Sequence, residues 1–178
     1  ETGDIPVPLI EAGVDKGHLR ELIKERMRSH GQECRCIRCR EVGLKGIKDY
    51  TVDELRLDVH RYKASGGTES FISFVLPERD ALVGYVRLRT DPSPVASVRE
   101  LKVFGKLVSL KGHGEGWQHR GVGKDLMARA EEAALGAGCE RIRVTSGVGV
   151  RRYYASLGYE RDGVYMAKRL GKIVEFDS

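Results

Sequence analysis

The sequence is short of several things, and each shortage removes a class of protein. No apolar run approaches the ~18 residues that a membrane-crossing helix requires, so none of the 178 residues is read as such a helix. Cysteine is scarce, at four. Three of them, Cys34, Cys36 and Cys39, crowd into one short stretch, which is no framework for a disulfide-built mini-protein. No internal repeat or low-complexity tract appears, which excludes a solenoid. Residues 1–16 lack a basic start and a long apolar stretch, so no secretory leader is read there. The expected compartment is therefore reducing and cytoplasmic, where clustered cysteines bind metal more often than they pair.

What is present suits one globular domain. Hydrophobic residues make up 40% and charged residues 32%, too apolar a balance for a disordered chain. A chain of this length buries roughly 70% of its unfolded surface, enough for a core without staples. The first residue is Glu1 rather than methionine, so the chain reads as a piece of a longer one. Lysine and arginine number 31 against 26 acidic residues, a net charge of +5. Much of that excess sits between Arg20 and Lys48, including Arg26, Arg28, Arg35, Arg38 and Arg40. Such a stretch suits phosphate contacts with RNA, and equally a solvated basic face or one that docks another domain.

Leu19, Leu22, Ile23 and Met27 recur at helical spacing and predict a helix over 16–30, capped by Asp15 and ended by Gly31. Alternating residues predict strands over 55–62, 70–76 and 81–89, with a turn at Gly66 and Gly67. A long strand over 97–110, broken at Gly105, leads to a glycine-rich loop over 111–116. A helix over 121–136, a strand over 141–145, a short helix over 150–157 and a last strand over 159–169 follow. The expected class is α/β, a mixed, mostly antiparallel sheet flanked by helices. The expected organisation is a linker, helix and cysteine-bearing segment over 1–50, the main α/β domain over 51–170 and a tail over 171–178.

The stretch Gln118-His119-Arg120-Gly121-Val122-Gly123-Lys124 lies at the start of the predicted second helix. Glycines there let the backbone approach a ligand, and a helix N-terminus offers free N–H groups and a positive dipole end. Arg120 and Lys124 add charge, so the stretch reads as a pyrophosphate cradle. A plain glycine-bearing helix start is the alternative. Leu126 stands where the third glycine of a dinucleotide G-x-G-x-x-G motif belongs, which disfavours that site. Some thirty residues on comes Tyr153-Tyr154-Ala155-Ser156-Leu157-Gly158-Tyr159, by itself readable as an aromatic core cluster.

Together, in this order, the two motifs resemble the Gcn5-related N-acetyltransferase (GNAT) superfamily. Its pyrophosphate loop is similar to R/Q-x-x-G-x-G/A, matched by Gln118, Gly121 and Gly123, and its aromatic run matches at Tyr154. The segments around Cys39-Arg40-Glu41-Val42-Gly43, Ala64-Ser65-Gly66-Gly67, Arg99-Glu100-Leu101-Lys102-Val103-Phe104-Gly105, 117–123 and 145–159 resemble the acetyltransferase domain of the Elongator catalytic-subunit family. These are tRNA uridine acetyltransferases, in which this domain joins a radical-SAM domain. The resemblance runs over 4–169. Two departures stand out: Lys102 and Phe104 where the family pattern is similar to Arg-Glu-Leu-His-Val-Tyr-Gly, and C-x-C-x-x-C spacing instead of the iron–sulfur spacing C-x-x-x-C-x-x-C.

The resemblance implies a GNAT fold, acetyl-CoA as cofactor and tRNA as partner. It places the iron–sulfur cluster and S-adenosylmethionine in an upstream domain. It also implies cofactor contacts at Glu100, Leu101, Lys102 and Val103, at 118–124 (including His119 and Val122) and at Tyr154. Tyr153 and Tyr154 are the expected catalytic residues, positioning the thioester or serving the leaving thiolate. In the family's full reaction the acetyl methyl carbon joins C5 of a wobble uridine. Cys34, Cys36 and Cys39 offer three thiolates toward a zinc ion, which takes four ligands. His30, His60, His113 or an upstream group is the candidate fourth, and three unmetallated cysteines the alternative. Two other functions remain open: a protein lysine acetyltransferase with Glu100 as base, and a non-catalytic tRNA-binding or assembly module.

Overall fold

A computed structural model describes residues 18–104 and 121–171. The chain divides into two compact units, Glu1–Cys39 and Arg40–Ser178. In the first, helix α1 (Leu19–Ser29) carries the predicted apolar spacing, yet none of its residues is buried. It begins at Leu19, with His18 in the cap position at φ 65°. The expected cap, Asp15, lies outside the described residues. Gly31, at φ 67°, takes the left-handed position just past the helix end. A single turn, α2 (Ile37–Arg40), carries Cys39.

The second unit is built on an open seven-stranded sheet: β1 (Arg56–Ala64), β2 (Gly67–Leu76), β3 (Ala81–Thr90), β4 (Val95–Val103), β5 (Arg141–Thr145), β6 (Glu160–Asp162) and β7 (Tyr165–Arg169), in the order β1-β2-β3-β4-β5-β7-β6. Every neighbouring pair is antiparallel except β4 and β5. A parallel pair needs a crossover, and α3 (Val122–Gly136) supplies it. One turn of helix, α4 (Arg151–Ala155), precedes β6.

Two hairpins correct the expected boundaries. Ala64 pairs with Gly67, so the first turn is Ser65-Gly66, both at positive φ, the geometry that matches strand twist. The single strand expected over 159–169 is two, because Asp162 pairs with Tyr165 around Gly163 at φ 61°. The loop is Gly163-Val164, with glycine at the first central position, where the turn needs a positive φ.

The core joins Ile72, Phe74, Val86 and Leu88 of the sheet to Leu126, Met127, Ala130 and Ala134 of α3. Helix and sheet meet most closely at Gly84, where a Cβ would fall 2.9 Å from the Lys102 carbonyl oxygen and 3.2 Å from Leu126 Cδ1. Only a residue without a side chain fits there. Val42 is fully buried, and Ile47 and Tyr50 pack against the same core. The connection after Cys39 therefore belongs to the second unit's interior. By contrast β1 is not covered as its alternation predicts: Leu57 and Val59 stay 41% and 37% exposed. A helix ~10–12 Å across spans only two or three strands ~4.8 Å apart, and α3 lies over β2, β3 and β4.

Candidate active site

The site forms where β4 leaves β5. Their parallel pairing runs only from Val95 opposite Arg141 to Val98 opposite Val144. At that point β4 bulges: Leu88 of β3 faces Val98 and Arg87 faces Glu100, leaving Arg99 as the extra residue. A bulge bends its strand and re-aims its side chains. Beyond it, β4 stays paired with β3 but has no described partner on its β5 side. The edge over 100–103 therefore keeps backbone donors and acceptors for a ligand.

Three further elements converge on this fork. Gly121 caps α3 at φ 77°, a conformation open to glycine and costly to other residues. Lys124 and Asp125 N–H groups already bond the Gly121 carbonyl, while those of the first turn point outward as at any helix start. The helix dipole adds positive potential there. A cavity of about 460 Å³ opens at this point, lined by Leu101, Val103, Gly121, Gly123, Lys124, Val150, Tyr153 and Tyr154. Strand alternation turns the side chains of Glu100 and Lys102 the other way, opposite Arg87 and Tyr85. Glu100 stands beside the Tyr85 hydroxyl, which burial and that carboxylate push up to about 12.

Gly123 has a steric reason. A Cβ there would lie 2.8 Å from Tyr153 Oη and 3.5 Å from Val103 Cγ2, so the missing side chain makes room for the tyrosine hydroxyl. That hydroxyl is buried and has no hydrogen-bond partner among the described residues, an arrangement rare enough to point to a ligand. Burial, with smaller contributions from Tyr154 and Asp125, pushes the Tyr153 phenol up to about 12. It therefore holds its proton through neutral pH.

The three rings stack edgewise. Tyr153 and Tyr154 centroids lie 5.2 Å apart, and Tyr154 and Tyr159 lie 5.9 Å apart. Tyr154 is itself buried, and burial raises its pKa. At the far end Tyr159 Oη donates to Glu131 Oε1 (2.9 Å), and Lys168 Nζ donates to Glu131 Oε2 (2.7 Å). Desolvation drives the Tyr159 phenol upward, helped by that carboxylate. Val150 and the Glu131 anchor escaped the sequence reading. Neither stands in a motif, and Glu131 meets Tyr159 only because α3 and β6's approach are packed together.

Of the expected cofactor residues, Leu101, Val103, Gly121, Gly123, Lys124 and Tyr154 share the cavity. Val122 turns inward against the core. Gln118, His119 and Arg120 lie outside the described residues, as do Trp117 and His113. On the far face of β4, Arg99 reaches Glu69 Oε1 at 3.3 Å, and Arg143 Nε donates to Ser97 Oγ at 3.0 Å.

In the first unit, the Sγ atoms of Cys34, Cys36 and Cys39 all lie within 4.8 Å of one another, a spread that one tetrahedral ion can bridge. Arg20 Nη2 donates to Cys36 Sγ (2.9 Å) and Cys39 Sγ (3.5 Å). The Cys39 backbone N–H, with help from Cys34 and Arg20, lowers the Cys36 thiol to about 6. Metal binding needs such a thiolate, so the three residues fit a thiophilic ion. Among the described residues no histidine joins the group, and His30 Nδ1 already lies 2.8 Å from the Arg26 carbonyl oxygen.

A mixed sheet forked at its one parallel junction, with a glycine-capped helix start and tyrosines at the fork, defines an acyl-CoA-dependent acyltransferase domain. The chain belongs to the acetyltransferase (GNAT) family, whose model matches residues 37–159. It is 43% identical to Elongator complex protein 3 of Saccharomyces cerevisiae over 94% of its own length and 32% of that protein's. It is 42% identical to the tRNA uridine(34) acetyltransferase of Methanocaldococcus jannaschii, over 94% of this chain and 34% of that one. The solved structure of archaeal Methanocaldococcus infernus Elp3 with an N-terminal deletion superposes with a TM-score of 0.75 at 43% identity, covering 94% of this chain and 42% of that one. The chain thus spans about a third of the length of the curated relatives it matches.

Proposed function

We propose that this chain is the acetyl-CoA-binding domain of a cytoplasmic tRNA wobble-uridine modifying enzyme. In the whole enzyme an upstream radical-SAM domain, with its iron–sulfur cluster and S-adenosylmethionine, would take part in making carboxymethyluridine. The single observation that carries the reading is the Tyr153 hydroxyl, buried against Gly123 at the start of α3 with no hydrogen-bond partner among the described residues, in a chain similar to a tRNA uridine(34) acetyltransferase.

Acetyl-CoA supplies an activated thioester. The first turn of α3 receives its pyrophosphate through backbone N–H groups, with Lys124 adding charge. The open edge of β4 over 100–103 hydrogen-bonds the pantetheine amides, and Leu101 and Val103 give the arm an apolar wall. A backbone N–H of that edge polarises the thioester carbonyl. Tyr153 and Tyr154 are the catalytic residues: the protonated Tyr153 hydroxyl donates toward the departing sulfur, and Tyr154 fixes its ring. Glu100 faces away from this cavity, which counts against the alternative of a lysine acetyltransferase with Glu100 as base.

The test is acetyl-CoA hydrolysis with and without tRNA. Stimulation by tRNA is expected, with a loss of at least ~10-fold in Tyr153→Phe or Tyr154→Phe. Acetylated peptide formed without tRNA would replace this reading by the lysine acetyltransferase. An absence of acetyl-CoA binding would leave a tRNA-binding or assembly module. For the cysteine cluster the reading is structural zinc on Cys34, Cys36 and Cys39, with a fourth ligand from outside the described residues. Stoichiometric zinc by elemental analysis, lost in Cys36→Ser, is the expected result.

A further inference from the structure

The face of the sheet that the bulge gives to Arg99 carries a second built site. Glu69 on β2 is 4% exposed, and three arginines converge on its carboxylate: Arg89 at 3.3 Å, Arg99 at 3.3 Å and Arg87 at 3.8 Å. Arg89 alone would neutralise it. Arg89 is also the most deeply set of the three and spends its other arm on Asp91, at 2.7 Å. Two of the guanidiniums remain open to solvent, Arg87 at 36% and Arg99 at 51% exposed, with Glu100 directly opposite Arg87 as the third carboxylate of the group. Their anchor is a buried carboxylate on β2: Arg99 donates to Glu69 Oε1 at 3.3 Å, and Arg87 stands 3.8 Å from Oε2 at ion-pair distance. That is how a planar five-donor group is set up for phosphate.

The neighbours extend the pattern. Arg143 lies in register with Ser97, itself opposite Arg89, and its guanidinium sits 4.8 Å from the Tyr165 ring centroid. Tyr62 lies directly opposite Glu69 on β1 and is 47% exposed. Directly paired residues share a face, so this sheet surface interleaves arginines with aromatic rings. Cations that track a backbone beside rings that accept bases are the recognition chemistry of single-stranded nucleic acid. Glu100 and Asp58 on the same face confine the positive field to the row through Arg87, Arg99 and Arg143.

We propose that this row binds the phosphodiester backbone of an unpaired RNA segment, with Tyr62 available to stack a base. The proposal rests on the tRNA reading above and gives that substrate a docking surface separate from the basic stretch over 20–48. Arg99 immediately precedes the edge assigned to the cofactor, so RNA held there approaches the fork from the opposite face of β4.

The experiment measures binding of an unmodified tRNA transcript to the full 178-residue chain across a salt series. Arg87→Ala/Arg99→Ala should weaken binding at least ~10-fold and flatten the log–log salt slope by about 1.4, or ~0.7 per lost contact on a single strand. Arg87→Lys/Arg99→Lys should recover most of the slope but only part of the affinity. Arg143→Ala, which removes an exposed side chain, should flatten the slope by about 0.7 with the fold undisturbed. Acetyl-CoA affinity should stay unchanged in all of them. Wild-type affinity and slope in both alanine variants would overturn the surface while leaving the tRNA reading standing, and would mark the face as one that docks protein. No tRNA binding by the wild type would overturn both.

Discussion

The two faces of β4 make opposite use of one strand. On one side Leu101 and Val103 wall a largely apolar cavity that also takes in a helix start, Lys124 and two tyrosines. On the other, Arg99 and Glu100 join a surface dominated by ion pairs and hydrogen bonds to carboxylates. Strand alternation alone would separate them. The bulge at Arg99 adds the turn that brings an arginine and a glutamate onto the same face in succession. The apolar side is defined by shape, a cavity between the free edge of β4 and the start of α3. The charged side is defined by its anchor, the buried Glu69 carboxylate.

The comparison breaks most completely at Leu126, which is fully buried and packs beside Gly84. Leu126→Ala should destabilise the fold by about 2–5 kcal/mol, measured by urea unfolding, and loosen both faces together. Next comes the cavity alone. Gly123→Glu puts a carboxylate at the helix start and against Tyr153. Calorimetry should show at least ~100-fold weaker acetyl-CoA binding, about 2.7 kcal/mol, with no change in tRNA affinity.

A finer cut is Gly123→Ala, whose methyl meets Tyr153 Oη at 2.8 Å. It should cost roughly 10-fold in cofactor affinity, and Tyr153→Phe in the same chain should restore most of it, a coupling that a double-mutant cycle reads directly. The smallest effect is on pH dependence. The Tyr153 phenol is raised to about 12 from an ordinary value near 10, so the folded state keeps a proton that the unfolded chain releases. Its contribution is complete below about pH 10 and is lost as pH rises toward 12. Thermal melts should show that decline, shallower in Tyr153→Phe.

Much of this was legible in the chain, for identifiable reasons. Gly121, Gly123 and the Tyr153-Tyr154 pair were readable because each performs a local task that few residue types can perform: a left-handed cap, a gap for a hydroxyl, a ring beside a helix start. The strands of the meander were readable from alternation, and the α3 helix from its apolar face. The Gly163-Val164 loop was missed because Tyr165 to Arg169 continues the apolar pattern across the turn. The exposure of Leu57 and Val59 could not be read either, since alternation records which face a residue shares and says nothing about how far a covering helix reaches.

The sequence by itself determined the class of fold and the glycine-bearing start of α3, because glycine conformations, helix starts and strand periods are properties of short segments. It also concentrated three thiols, Cys34, Cys36 and Cys39, within six residues. Only the tertiary structure decided that Glu131, 28 residues from Tyr159, anchors the tyrosine stack. It alone decided that Glu69, 30 residues from Arg99, gathers three arginines onto one face. Both depend on strand register and on helix-to-sheet packing. Those are settled by the burial of the whole core at once, and no segment contains them.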